Sequence, residues 1–133
     1  LFLRESISLD IIKSAHDISD GGLVIALAES CISSGLGIEC NIPVCENRID
    51  KILFGEGGSR ILISISSENQ EKFKSTLKTF NHQNNSFVSA NCIGNVSNNK
   101  KLEIKRDSIS IINLSIFDII NSFENAIPRR IES

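Results

Sequence analysis

The 133 residues include no methionine, tryptophan or tyrosine, only two prolines, and an aromatic share of 5% made up of seven phenylalanines. Scarce aromatics leave few platforms on which nucleic-acid bases could stack. A surplus of positive charge is missing too. The 14 basic and 16 acidic residues give a formal net charge of −2, whereas a nucleic-acid surface needs Lys and Arg in excess. Lys100, Lys101, Lys105 and Arg106 form a local cluster that reads as a solvated strand edge. No apolar run approaches membrane-spanning length, and no signal-peptide pattern opens the chain. Neither nucleic acid nor membrane is therefore expected as a partner. Cys31, Cys40, Cys45 and Cys92 lack the paired spacing of a zinc site or a disulfide framework. They are expected as reduced thiols of a cytoplasmic protein, and no metal site is assigned. The opening residues Leu1-Phe2-Leu3-Arg4-Glu5 read like the inside of a helix, so the chain is expected to be a piece of a longer one.

What is present fits one globular domain over residues 1–133: 41% hydrophobic residues beside 23% charged ones. A helix end is expected over residues 1–8 and an extended segment up to Ile18. A helix should follow from about Asp20 to Ile32, apolar almost all round and so buried, with Gly35 as its stop. Ile38, Cys40 and Ile42 alternate with Glu39 and Asn41 as a half-buried strand that Pro43 ends. A short helix or turn is expected over residues 47–53, and the best strand over 60–66, with Ile61, Ile63 and Ile65 on one face. Ser67 and Gln70 form a capping box ahead of a helix whose Phe73, Leu77 and Phe80 share a face. A polar loop over 82–86, a strand over 88–96, and return strands around Leu102–Ile104 and Ile109–Ile111 predict a meander. Ser115, with Asp118 at the third helical position, opens a last helix striped by Ile116, Ile119, Ile120, Phe123 and Ile127 and ended by Pro128. The fold class is α/β (α+β), with helices covering a mixed, largely antiparallel sheet of about five strands.

Two stretches can carry chemistry. The first is Ala15-His16-Asp17-Ile18-Ser19-Asp20-Gly21-Gly22-Leu23, directly before the buried helix. Glycine leaves its amide uncovered, and a helix start offers unpaired N–H groups and partial positive charge to an anion. Gly21 and Gly22 are thus candidates to contact a phosphate. Ordinary capping by Ser19 or Asp20 accounts for the same residues. Asp17 and Asp20 repel a bare phosphate unless Asp20 turns inward as a cap or a divalent cation intervenes. His16 and Asp17 are adjacent on an extended segment and point to opposite faces, so they do not make an acid–base dyad. The second stretch is Gly55-Glu56-Gly57-Gly58-Ser59-Arg60, a glycine-rich loop running into a strand. Glu56 suits an amine, hydroxyl or Mg²⁺, and Arg60 a phosphate or carboxylate. A tight turn in which the two pair with each other or with a neighbouring domain is the simpler account.

The wording of these stretches resembles one family. Residues 15–23, an Ala-Leu-Ala-Glu helix and then Leu53-Phe54-Gly55-Glu56 with Ser59-Arg60 look like the C-terminal domain of the phosphoribosylformylglycinamidine synthase family. That family lies within the aminoimidazole ribonucleotide synthase-related superfamily. Gly57 and Gly58 depart from the small polar residue expected there. The resemblance implies a carbon–nitrogen ligase of de novo purine biosynthesis, joining formylglycinamide ribonucleotide to ammonia from glutamine at the expense of ATP with Mg²⁺. It implies that the catalytic histidine and most ATP and Mg²⁺ ligands lie in domains outside this sequence, so no catalytic residue is assigned here and the piece alone is expected to be inactive. Ser19, Asp20, Gly21, Gly22, Glu56, Ser59 and Arg60 are the positions it brings near a nucleotide. Expected partners are the other domains of the same chain, and a glutaminase subunit and small bridging subunit in the shorter forms of the enzyme. The alternatives are another superfamily enzyme, such as aminoimidazole ribonucleotide synthase, or a packing domain that binds no ligand.

Overall fold

Apolar periodicity and glycine stops set the element order: α1 (Phe2–Ser8), β1 (Ile12–Asp17), α2 (Gly22–Ser34), β2 (Gly37–Ile42), α3 (Ile49–Phe54), β3 (Ile61–Ile65), α4 (Gln70–Asn84), β4 (Gly94–Ser97), β5 (Lys101–Arg106), β6 (Ile109–Ser115) and α5 (Ile116–Ile131). The computed structural model behind this order describes residues 1–42 and 48–131, with side chains through Asn125. Pro43, Cys45 and the Ile127 side chain lie outside the described residues. Two units form, one from Leu1–Asp17 with Arg60–Asn91, the other from Ile18–Ser59 with Cys92–Ser133.

In the first unit β1 runs antiparallel to β3, with Ala15 opposite Ile63 and His16 opposite Leu62. Its core joins Phe2, Ile11, Ile12, Phe73 and Phe80, with Leu3, Ile63, Ile65 and Leu77 packed against it. The helical face expected from Phe73, Leu77 and Phe80 is therefore the buried one. The Phe2 ring meets Phe73 edge-on at 5.6 Å between centroids and Phe80 at 5.3 Å. Three local expectations are corrected here. Ser67 opens a 3-10 turn, Ser67–Asn69, and makes no capping bond, so α4 begins at Gln70 behind Asn69. The stretch expected as a loop from His82 continues α4 to Asn84, because Asn85 takes the left-handed conformation (φ 45) and its amide bonds the Asn81 carbonyl. The strand expected from Val88 starts only at Gly94. The Asn81 side chain accepts the Val88 amide at 2.9 Å and donates to the Val88 carbonyl at 2.8 Å, using up the backbone groups a ladder would need.

In the second unit α2 buries Leu23, Val24, Ala26, Leu27, Ala28 and Cys31. Gly35 closes it in the left-handed conformation (φ 67), with its amide bonded to the Cys31 carbonyl at 2.9 Å. Ile38, Cys40 and Ile42 are buried along β2, as their alternation requires. The four-stranded sheet has the order β4-β2-β5-β6, with β2 and β5 parallel and the other neighbours antiparallel. The mixed, largely antiparallel α/β class stands, with its six described strands divided between sheets of two and four.

The meander is corrected: only β5 and β6 form a hairpin, and β2 lies between β4 and β5. Leu102 and Ile104 have no exposed surface, so β5 needs a strand on each side. For the same reason Lys105 is not on a sheet edge. Its ammonium pairs with Glu39 on β2 and lies 3.5 Å from Glu103. The Ser115 hydroxyl accepts the Asp118 amide at 3.1 Å and donates to its carboxylate at 2.6 Å, capping α5 as expected. Ile116 and Ile119 are buried and Phe123 is exposed. Pro128 does not end α5, which continues to Ile131. A proline deletes one intrahelical bond, and the remaining short turn tolerates that loss. No helix among the described residues is long and apolar enough to cross a membrane.

Cysteine chemistry follows from this packing. Burial, with smaller repulsion from Cys31, Cys92 and Glu39, pushes the Cys40 thiol up to about 12, and burial also raises Cys31. Cys92, expected within a strand, precedes β4 and is exposed. Only a thiolate attacks an alkylating reagent, and only where the reagent can reach it. At pH 8 iodoacetamide is expected to label Cys92 in the native chain and Cys31 and Cys40 only after denaturation. Peptide mass mapping checks this, and native labelling of Cys40 would contradict the packing.

Candidate functional site

The chain leaves β1 at Asp17, buries Ile18 and turns through Ser19 and Asp20, both exposed, into the glycine pair. Gly21 (φ 77) and Gly22 (φ 71) both occupy the left-handed region, where other residues are strained. Gly21 is the N-cap of α2, no side chain caps the helix, and the Gly22 amide bonds the Ser19 carbonyl at 3.1 Å. The capping expected from Ser19 or Asp20 is thereby corrected: the backbone turn does that work.

The second stretch meets the first. A Cβ on Gly22 would lie 2.7 Å from the Phe54 carbonyl carbon and 2.8 Å from the Leu53 oxygen, so the start of α2 rests on the last turn of α3. The Gly55 amide closes α3 onto the Lys51 carbonyl at 3.1 Å. Just beyond, the Glu56 carboxylate accepts the Gly21 amide at 3.0 Å. A carboxylate at this end of α2 is favoured by the partial positive charge of the helix start. Glu56 is otherwise exposed, as are Gly57, Gly58 and Ser59. No atom would lie within 4 Å of a Cβ at Gly57 or Gly58. Arg60 belongs to the other unit, immediately before β3.

The structure thus brings Gly21, Gly22 and Glu56 together, with Ser19, Asp20 and Ser59 on the two flanking loops. His16 lies on β1 with Nδ1 2.7 Å from the Asp17 backbone oxygen, a structural bond rather than a dyad with the Asp17 carboxylate. Sequence reasoning missed the backbone of Leu53 and Phe54 as the floor under Gly22. The one signal for it was a second glycine where a single one would have made the turn.

A family model described as AIR synthase related protein, C-terminal domain, matches residues 2–107. Among curated proteins, a phosphoribosylformylglycinamidine synthase subunit PurL of Prochlorococcus marinus is 59% identical over 133 residues, which is 100% of this chain and 17% of the relative. Among solved structures, T. maritima PurL complexed with ATP aligns with a TM-score of 0.74 at 14% identity, covering 89% of this chain and 20% of that one. The structure of PurLQS from Thermotoga maritima aligns with a TM-score of 0.72 at 13% identity, over 86% and 20% of the two chains. These two likenesses are likenesses of fold. The chain spans about a sixth of the length of the curated relative.

Proposed function

The chain belongs to the AIR synthase related protein family, as a C-terminal domain of that kind, and from this premise we propose that it is the C-terminal domain of a phosphoribosylformylglycinamidine synthase. The observation that carries this reading is 59% identity along the whole chain to a synthase subunit. The full-length protein then converts formylglycinamide ribonucleotide, ATP and glutamine-derived ammonia into the amidine, in the cytoplasm, within de novo purine biosynthesis. ATP and Mg²⁺ are held mainly by domains outside this sequence. Among the described residues no three His, Cys, Asp or Glu side chains gather to hold a metal ion.

The domain's own share in this reading is to bring residues 19–22, Glu56 and Ser59 near the nucleotide. Support comes from the paired left-handed glycines at the start of a 13-residue helix, with Glu56 bonded to that start. Arg60 is proposed on its sequence motif alone. The partners are the remaining domains of the chain, a glutaminase subunit and a small bridging subunit. The likeness to a chain of the PurLQS structure supports an assembly of this kind.

A second reading, a packing domain without a ligand, is favoured by one observation: Glu56 already occupies the Gly21 amide. Hydrogen exchange on the full-length protein separates the two. MgADP is expected to slow exchange in peptides covering residues 19–23 and 55–59, while the full-length chain turns over formylglycinamide ribonucleotide and this piece alone does not. Turnover with no protection of those peptides would leave the packing reading standing. No turnover by the full-length chain would remove the synthase reading.

A further inference from the structure

We propose that Glu56 is a positioning residue: its carboxylate latches the Gly21–Gly22 turn to the end of α3 and acts on any ligand only through that turn. Three observations converge. Neither the Ser19 nor the Asp20 side chain caps α2, and while the Ser19 carbonyl accepts the Gly22 amide, the acceptor for the Gly21 amide comes from 35 residues further along the chain. The contact of Gly22 with the backbone of Leu53 and Phe54 leaves no room for a side chain, which fixes α3 against the start of α2 before Glu56 is reached. The Gly55 amide bond to Lys51 then ends α3 one residue ahead of Glu56, limiting where that residue can stand. A carboxylate so delivered holds the Gly21 amide in a defined direction. Residues 19–22 and Glu56 are therefore one unit, and Glu56 is committed to the protein rather than to a ligand. The effect on nucleotide rests on the function proposed above; the latch itself does not.

A glutamine at position 56 keeps an oxygen that can accept the same hydrogen bond, whereas alanine removes it. In the full-length protein, hydrogen exchange at Gly21 is expected to quicken about fivefold or more in Glu56→Ala and to stay within about twofold of the parent in Glu56→Gln. The KM for ATP should rise more than kcat falls in the alanine variant and return towards the parent in the glutamine variant. Unchanged Gly21 exchange in Glu56→Ala would overturn the latch. So would a glutamine variant as impaired as the alanine one, because that result assigns the effect to charge at a ligand. Quickened exchange with an unmoved KM supports the latch and counts against the nucleotide reading, so the two ideas fail separately. Should Glu56→Ala not fold, Gly21 exchange in Glu56→Gln decides alone: protection retained supports the latch, protection lost overturns it.

Discussion

Gly22→Ala is expected to cost about 2–5 kcal/mol of stability, from strain and collision together. An L residue held at φ 71 pays about 1–2 kcal/mol for the left-handed conformation alone. The added methyl carbon would then stand 2.7 Å from the Phe54 carbonyl carbon and 2.8 Å from both the Phe54 Cα and the Leu53 oxygen. These are backbone atoms of a helix end, so no rotamer change relieves the contact and α2 must shift from α3. Gly35→Ala isolates the conformational part. Its φ is 67, and no atom lies within 4 Å of the new Cβ. It is therefore expected to cost about 1 kcal/mol. Both substitutions stiffen the unfolded chain equally, so that contribution cancels in the comparison. Urea titrations of the two variants are expected to show at least twice the midpoint loss for Gly22→Ala. Equal losses would mean that the approach of α2 to α3 is looser than 2.7 Å implies.

The contrast between these glycines also marks what a sequence can announce. Both stand beside a helix and both read as turn residues, yet only one faces another backbone. Local periodicity was legible: the Phe73, Leu77 and Phe80 face, the alternation of Ile38, Cys40 and Ile42, and the Ser115 cap at Asp118 all appear as expected. Such features depend on residues within a turn or two of one another. Pairing partners were not legible. The strand at residues 101–106 looked like the return of the strand before it, but its neighbour is β2, in parallel, some 60 residues earlier. Of the alternation at residues 88–96 only the end, from Gly94, entered a ladder, because Asn81 held the backbone of Val88 first. At the candidate site the two glycine-rich stretches were each legible as loops. Family resemblance brought both near one nucleotide, but their direct bond was not legible, since the Glu56–Gly21 contact depends on how α2 and α3 pack.

Ile104→Ala is the second large effect, at about 2–5 kcal/mol. Ile104 is fully buried on β5, opposite Cys40 of β2 on one side and Ile112 of β6 on the other. Truncation there removes apolar surface and leaves a void that hydrogen-bonded strands on both sides cannot close. Ile109→Ala on β6 deletes the same atoms from a side chain that is 70% exposed and faces Arg106, so about 0.5 kcal/mol or less is expected. The pair is a test of topology as well as of burial. In a meander lacking β2 at its side, β5 would have one flank open, and the chain could relax into the void. The parallel β2–β5 pairing makes Ile104 a central position and predicts a several-fold larger loss of urea midpoint for Ile104→Ala than for Ile109→Ala. Similar losses for Ile104→Ala and Ile109→Ala would refute β5 as the inner strand, and with it the sheet on which α2 and its glycine turn are mounted.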